Sequence, residues 1–207
     1  METTTTKINL QKADPNYYKA GSKPEIRDLD TYNYLTIAGE GSPEAPAFNE
    51  AIQAIYAVAY GIKFLCKGQD NDFVVPKMEC YWFIAGGPEV QHKFAETPME
   101  QWLWKIQMRM PDVVEREHFD QAMHKAVVDK GLSSLEGLKF ELINEGKCVQ
   151  VMHIGSWDQE GPSIEKIMNL IKEEGLQITG YHKEIYISEP TKVDESRKKT
   201  ILRYQVR

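Results

Sequence analysis

The sequence predicts one α+β domain in which two strand-helix-strand-strand pseudo-repeats join into a curved antiparallel sheet, with helices on its outer face and a ligand cleft between the halves. Three observations lead there. Glu79-Cys80-Tyr81 recurs as Glu184-Ile185-Tyr186 at a constant offset, since 184 − 79 and 186 − 81 are both 105. The apolar periodicity gives the same order of elements on both sides of a middle helix, the mark of an internal duplication. A length of 207 residues suits one substantial core or two small packed halves, and is short for two large independent domains.

Residues 1–30 are polar, with Asp14-Pro15 and Lys23-Pro24 as turn signals and Tyr17-Tyr18 as an anchor, and are expected as an arm lying on the body. The first half, residues 31–111, opens with a strand over Tyr32 to Ala38. Gly39-Glu40-Gly41-Ser42-Pro43 reads as a turn. Pro46 to Leu65 reads as a helix, because Phe48, Ile52, Ile55, Ala59 and Ile62 step by three and four onto one face. Pro76 leads into a strand over Lys77 to Ile84. From Gln101 to Met110 a strict alternation sets Trp102, Trp104, Ile106, Met108 and Met110 against Leu103, Lys105, Gln107 and Arg109. Asp112 is suited to cap a connecting helix, residues 112–131, that Gly131 ends. The second half, residues 139–207, repeats the plan: a strand over Cys148 to Ile154, the turn Gly155-Ser156-Trp157, and a helix from Pro162 with Ile164, Ile167, Met168 and Ile171 in a stripe. Gly175 stops that helix, and strands follow over Tyr181 to Ser188 and Lys199 to Arg207.

With 42% hydrophobic and 27% charged residues, the chain has the composition of a soluble globular protein, and no apolar run approaches the length of a membrane span. Met1-Glu2-Thr3-Thr4-Thr5-Thr6 lacks the basic start and apolar stretch of a signal peptide, so the expected location is the cytoplasm. A net charge of −6, with lysines and arginines dispersed, excludes nucleic acid as a partner; no membrane surface is implied, and no protein partner is indicated. Cys66, Cys80 and Cys148 lie far apart in apolar surroundings and are read as buried free thiols.

Alternation places Glu79, Tyr81 and Phe83 opposite Met78, Cys80, Trp82 and Ile84, and places His182, Glu184, Tyr186 and Ser188 opposite Ile185 and Ile187. If each apolar set packs on its helix, both polar-aromatic sets line the concave side, and Glu79 and Glu184 become opposite walls of one pocket. Burying such a carboxylate is costly unless it is paired, which makes it either a counter-ion for a lipophilic cation or a general base for water. Tyr186, Tyr81 and Tyr204 are candidate hydrogen-bond donors to developing oxygen charge, and His182 can orient Glu184. Trp104 and Met108 share one face, a stacking wall if that face lines the pocket and core if it meets the helix. The histidines show no metal-ligand spacing, and neither Gly39-Glu40-Gly41 nor Gly86-Gly87-Pro88 has the context of a nucleotide loop, so no metal and no cofactor is expected.

Cys148 to Asp158, Gly180 to Pro190, the closing Leu202-Arg203-Tyr204, Trp104 to Pro111, and the early Ala13-Asp14-Pro15 and Tyr17-Tyr18 together resemble the GyrI-like small-molecule-binding family, over nearly the whole chain. The resemblance implies that Glu184 is the central acid of a pocket whose aromatic walls hold flat, often cationic molecules, with Trp157 standing where many relatives are expected to have tyrosine. It implies a hydrophobic small molecule as partner and a protective role against toxic compounds. Stand-alone members with a similar tryptophan-rich strand include cyclopropanoid cyclohydrolases, which open the cyclopropane of DNA-alkylating natural products by adding water. In that reading Glu184 is the base and Tyr186 stabilises the phenolate. A third possibility implied by the family is inhibition of DNA gyrase through protein contact.

Overall fold

Six strands form the frame of the computed structural model, which describes residues 7–130, 135–189 and 192–207. They are β1 (Glu25–Glu40), β2 (Met78–Phe83), β3 (Leu103–Met110), β4 (Lys139–Ile154), β5 (His182–Tyr186) and β6 (Lys199–Gln205). The helices are two short ones, α1 (Leu10–Ala13) and α2 (Pro15–Tyr18), then α3 (Pro46–Gly68), α4 (Arg116–Lys130) and α5 (Gly161–Glu173). Each half has the predicted strand-helix-strand-strand order: β1, α3, β2, β3 and then β4, α5, β5, β6.

The combination of helices with an antiparallel sheet is as the sequence predicts, but the sheet does not stay open. The strands run in the order β1-β3-β2-β5-β6-β4 and close into a barrel, every pair antiparallel. Closure comes from β1 and β4, sixteen residues each, which pair from Glu25↔Gln150 to Thr36↔Lys139. Their first halves, Glu25 to Thr31 and Lys139 to Lys147, are polar enough to obscure a period of two, so the sequence shows only the later, buried part of each strand. Joining them removes two sheet edges that would otherwise be exposed.

α3 lays Phe48, Ala51, Ile55, Val58, Ala59, Ile62 and Cys66 on the outer face of β1, β3 and β2, where they meet Leu35, Ile37, Ile106, Met108 and Cys80. Spacings of three and four residues make this stripe, and Pro46 suits the first turn because the backbone N–H that proline lacks has no intrahelical partner there. α4 packs on α3 through Phe119, Ala122 and Ala126. It begins at Arg116, four residues after the expected Asp112 cap; the Glu115 N–H donates to His118 Nδ1 at 3.0 Å and so is satisfied at the helix start. Gly131 lies outside the described residues, as do the first six residues of the arm. α5 covers β4 and β6 with Ile167 and Ile171 against Val149, Val151 and Leu202, and ends at Gly175, whose φ of +65° is the left-handed turn glycine allows. The predicted anchor of the arm is buried: Tyr17 and Tyr18 of α2 pack with Leu29, Tyr34, Cys148, Ile185 and Ile201.

The third strand meets the helix with the face that carries Trp104 and Met108. Trp104 is packed over Gly39, which leaves no room for a Cβ there, and its ring is 5.2 Å from Phe48. Both residues belong to the core beneath α3. All three cysteines are buried and free.

Inside the barrel lies an ionic group. Lys183 Nζ is 2.6 Å from Glu79 Oε2 and bonds Glu145. Arg203 donates through Nη1 to Glu145 Oε2 at 3.2 Å, through Nε and Nη2 to Gln150 Oε1 at 3.0 and 2.8 Å, and through Nη2 to the Tyr17 carbonyl at 2.6 Å. The Tyr17 hydroxyl donates to Glu79 Oε2 at 2.7 Å and accepts from Lys183 at 3.0 Å, while Tyr34 donates to Glu145 Oε1 at 2.9 Å. Two carboxylates and two cations cancel, which is what makes a charged interior tolerable.

Candidate functional site in the seam between the halves

The register between β2 and β5 decides which side chains meet. Cys80 lies opposite Glu184 and Trp82 opposite His182, while Glu79 lies opposite Ile185 and Tyr81 opposite Lys183. Residues directly opposite share a face. Glu184, His182 and Tyr186 therefore face outward, on the helix side with Cys80 and Trp82, and Glu79 and Tyr81 face into the barrel. The two acids expected as walls of one pocket are on opposite sides of the sheet. The β2–β5 register sets Cys80, not Glu79, beside Glu184, so the acids of the repeated motif point to opposite faces. In the second half it is Ile185 that enters the barrel, so the polar-aromatic set sits in the groove between α3 and α5.

Glu184 is 8% exposed there. Its Oε1 lies 3.3 Å from His182 Nε2, and the same nitrogen lies 3.4 Å from Glu160 Oε2. The other ring nitrogen, Nδ1, is 2.9 Å from the Tyr204 hydroxyl on β6. Burial alone disfavours a charged His182, but Tyr204, Glu160 and Glu184 outweigh it and hold the imidazole well above its ordinary pKa. The Glu160 carboxyl is raised, first by burial and further by Glu184, with the His182 hydrogen bond opposing. Among the described residues these three are the one group of carboxylate and imidazole atoms drawn within 4.8 Å of one another. The two carboxylate oxygens, 3.3 and 3.4 Å from the one nitrogen, place the His182 Nε2 between Glu184 and Glu160.

Glu160 arrives from the second half's turn. His153 on β4 holds that turn, with Nε2 3.0 Å from the Ser156 carbonyl and Nδ1 3.2 Å from Ser163 Oγ. Gly155, with φ +139°, lets the chain leave β4 past the His153 ring. The Glu160 carbonyl accepts from Ser163 and Ile164 N–H at 2.8 and 2.9 Å, which fixes its side chain at the start of α5.

Aromatic groups close the groove. Trp82 Nε1 donates to the Tyr186 hydroxyl at 3.2 Å, and Phe48 of α3 lies 5.0 Å from Trp82. Trp157 meets Tyr186 edge-on at 5.9 Å and carries the Lys198 ammonium 4.4 Å above its ring. Burial, then the Glu184 carboxylate, keep the Tyr186 phenol well above its ordinary pKa, so it is neutral at physiological pH. Beside Tyr186 lies a recess of about 10 Å³, lined by Trp157, Ser188, Lys198, Lys199 and Thr200, room for one water.

Of the residues singled out from sequence, His182, Glu184, Tyr186, Trp157 and Tyr204 are brought together in this seam. Glu79 and Tyr81 are part of the barrel interior, and Trp104 and Met108 are beneath α3. Sequence reasoning missed Glu160 and Trp82. Alternation puts Trp82 in the apolar set of its strand but does not show its hydrogen bond to Tyr186, and Glu160 sits just before a Gly-Pro helix start with no periodicity to mark it. Lys183 was also missed, although it alternates between His182 and Glu184 and so must point the other way.

No helix among the described residues is long and apolar enough to cross a membrane. None of the curated proteins matches the chain. Among solved structures, an uncharacterized conserved protein from Listeria innocua is 32% identical with a TM-score of 0.87, covering 97% of this chain and 100% of its own. A hydrolase from Listeria innocua is 31% identical with a TM-score of 0.85, covering 98% of this chain and 100% of its own. The C-terminal domain of EcmrR, 14% identical with a TM-score of 0.54 over 89% of this chain and 97% of its own, shares the fold. The profile of the GyrI-like small molecule binding domain matches residues 22–207, and the chain belongs to that family.

Proposed function

We propose that this protein binds a flat, hydrophobic small molecule in the seam between α3 and α5 and hydrolyses it, with Glu184 as general base. The observation that carries this reading is the carboxylate of Glu184, buried at the foot of an aromatic groove and oriented by His182. A ligand of several rings exceeds the present recess, so it must part Trp157 from Tyr186; Trp157 is 44% exposed and sits on the single short turn Trp157–Gln159, which is the movable wall. The 31% identical hydrolase from Listeria innocua supports an enzyme, and the substrate class we assign is a cyclopropane conjugated to a dienone, as in DNA-alkylating natural products. Water oxygen bonds to the strained carbon, the ring C–C bond breaks, and its electron pair passes to the carbonyl oxygen as phenolate. Glu184 takes the water proton, and that proton returns to the phenolate. Trp82 donates to the Tyr186 oxygen, and the Tyr186 O–H, which is held toward Glu184 in the free protein, turns to donate to the growing oxyanion.

A second reading, capture without turnover, is favoured by Lys198 above Trp157: a ring that already holds an ammonium can hold a cationic ligand. Either activity removes a toxic molecule from solution, which is the protective role we assign.

Incubation with a cyclopropane-bearing alkylator, followed by mass spectrometry, separates the two. We expect catalytic gain of one water, and in Glu184→Gln a loss of roughly 10²- to 10⁴-fold in turnover with affinity retained in tryptophan quenching. Turnover at the wild-type rate in Glu184→Gln removes the acid from the mechanism, and stoichiometric protection without product establishes capture.

A further inference from the structure

We infer that Glu160 is the second acid of this site and a positioning residue for Glu184, keeping His182 as an imidazolium whose single Nε2–H serves both carboxylates. The inference rests on the seam being the functional site, and it deepens that reading.

The geometry is unusual for a catalytic carboxylate-histidine pair. In a proton relay through imidazole, donor and acceptor face different ring nitrogens. Here both carboxylates face Nε2, at 3.4 and 3.3 Å, and Nδ1 is occupied by Tyr204. No proton can pass through the ring from Glu184 to Glu160. What the arrangement does instead is hold a cation between two anions, one more than charge balance needs. When Glu184 accepts a proton from water it becomes neutral. With Glu160 present, the imidazolium keeps an anionic partner and its N–H turns fully to that side. Without Glu160, the same step would strand a buried cation, so Glu184 would resist protonation and act as a weaker base. With His182 charged, the group carries one net negative charge, which matches a cationic ligand or a proton from water.

Other groups around His182 do not supply this. Tyr204 on β6, at Nδ1, also holds the ring charged but brings no carboxylate to Nε2, Tyr186 on β5 is a neutral phenol, Cys80 on β2 is a buried thiol raised well above its ordinary pKa, and His153 on β4 is engaged with Ser156 and Ser163. Glu160 is 6% exposed, and its Oε1 has no hydrogen-bond partner among the described residues. That oxygen is an acceptor left for a water or for a donor on the ligand.

The test is the titration of His182, followed by ¹⁵N-imidazole NMR with the resonance assigned from His182→Asn. We expect the wild-type ring to stay protonated above neutral pH and its midpoint to fall by at least one unit in Glu160→Gln, a tenfold loss in proton affinity. Glu160→Asp, which keeps the charge, should recover most of the shift. In parallel, Glu160→Gln should lower kcat for ring opening at least tenfold with KM little changed. An unchanged His182 midpoint in Glu160→Gln overturns the inference. Should that variant not fold, a wild-type midpoint at or below the ordinary histidine value overturns it as well. Because the titration needs no ligand, a shifted midpoint in a protein that turns nothing over sustains the role of Glu160 as a positioning residue for His182 and rejects the hydrolase reading alone.

Discussion

Lys183 is the residue on which sequence and structure part. It stands between His182 and Glu184, and because a strand alternates, the choice that sends those two into the groove sends Lys183 into the barrel, to Glu79 and Glu145. The sequence made Glu184, Tyr186 and His182 legible as a set, since spacing by two within an apolar run is a property of one strand. It could not show that Glu79 belongs elsewhere, because that depends on the partner strand, and β2 meets β5 with Cys80, not Glu79, beside Glu184. A prediction belongs here. Lys183→Met leaves two carboxylates facing only Arg203 and should lower unfolding free energy by about 3–5 kcal/mol in urea. Adding Glu79→Gln to that variant should recover part of the loss, and no recovery would mean that the pair is not coupled.

Among the elements, α2 does more than its four residues suggest. The match to the family begins at residue 22, yet Tyr17, before it, places its hydroxyl 2.7 Å from Glu79 and 2.8 Å from the Tyr34 hydroxyl, and its carbonyl 2.6 Å from Arg203. The segment packs Tyr17 against the barrel interior and supplies hydrogen bonds to the buried Glu79, Lys183 and Arg203. Tyr17→Phe keeps the ring and removes the hydroxyl, and should cost about 1–3 kcal/mol in thermal or urea unfolding; a cost within error would show that the ionic group satisfies itself. The Tyr17-Tyr18 anchor was legible from two aromatic residues in a polar arm. The lengths of β1 and β4 were not, because half of each strand pairs where neither face is covered by α3 or α5, and residues such as Arg27, Asp28 and Lys147 carry no apolar alternation there.

At the scale of the whole molecule, the barrel interior makes stability depend on pH in a definite direction. Burial works to raise the Glu145 carboxyl, but Lys183 and Arg203 overcome it and hold it near pKa about 2, below the usual 4.5. A group depressed on folding stabilises above its unfolded pKa and loses that contribution as pH falls through the folded value. Circular dichroism should therefore show stability falling between about pH 4.5 and 2, with a shallower acid limb in Glu145→Gln; equal acid limbs would exclude this carboxylate as the cause. His182, raised on folding, acts oppositely, its contribution present below the ordinary histidine range and lost as pH climbs through the elevated value. The sequence by itself determined the repeated strand-helix-strand-strand order, the stripes of α3 and α5, and the alternation that groups His182, Glu184 and Tyr186, because these are periodicities within single segments. Only the tertiary structure decided that the sheet closes, that Glu79 joins a charged interior, and that Glu160 joins the seam. Each of these depends on the register or approach of segments distant in the chain, and a one-residue change of register turns an inward side chain outward.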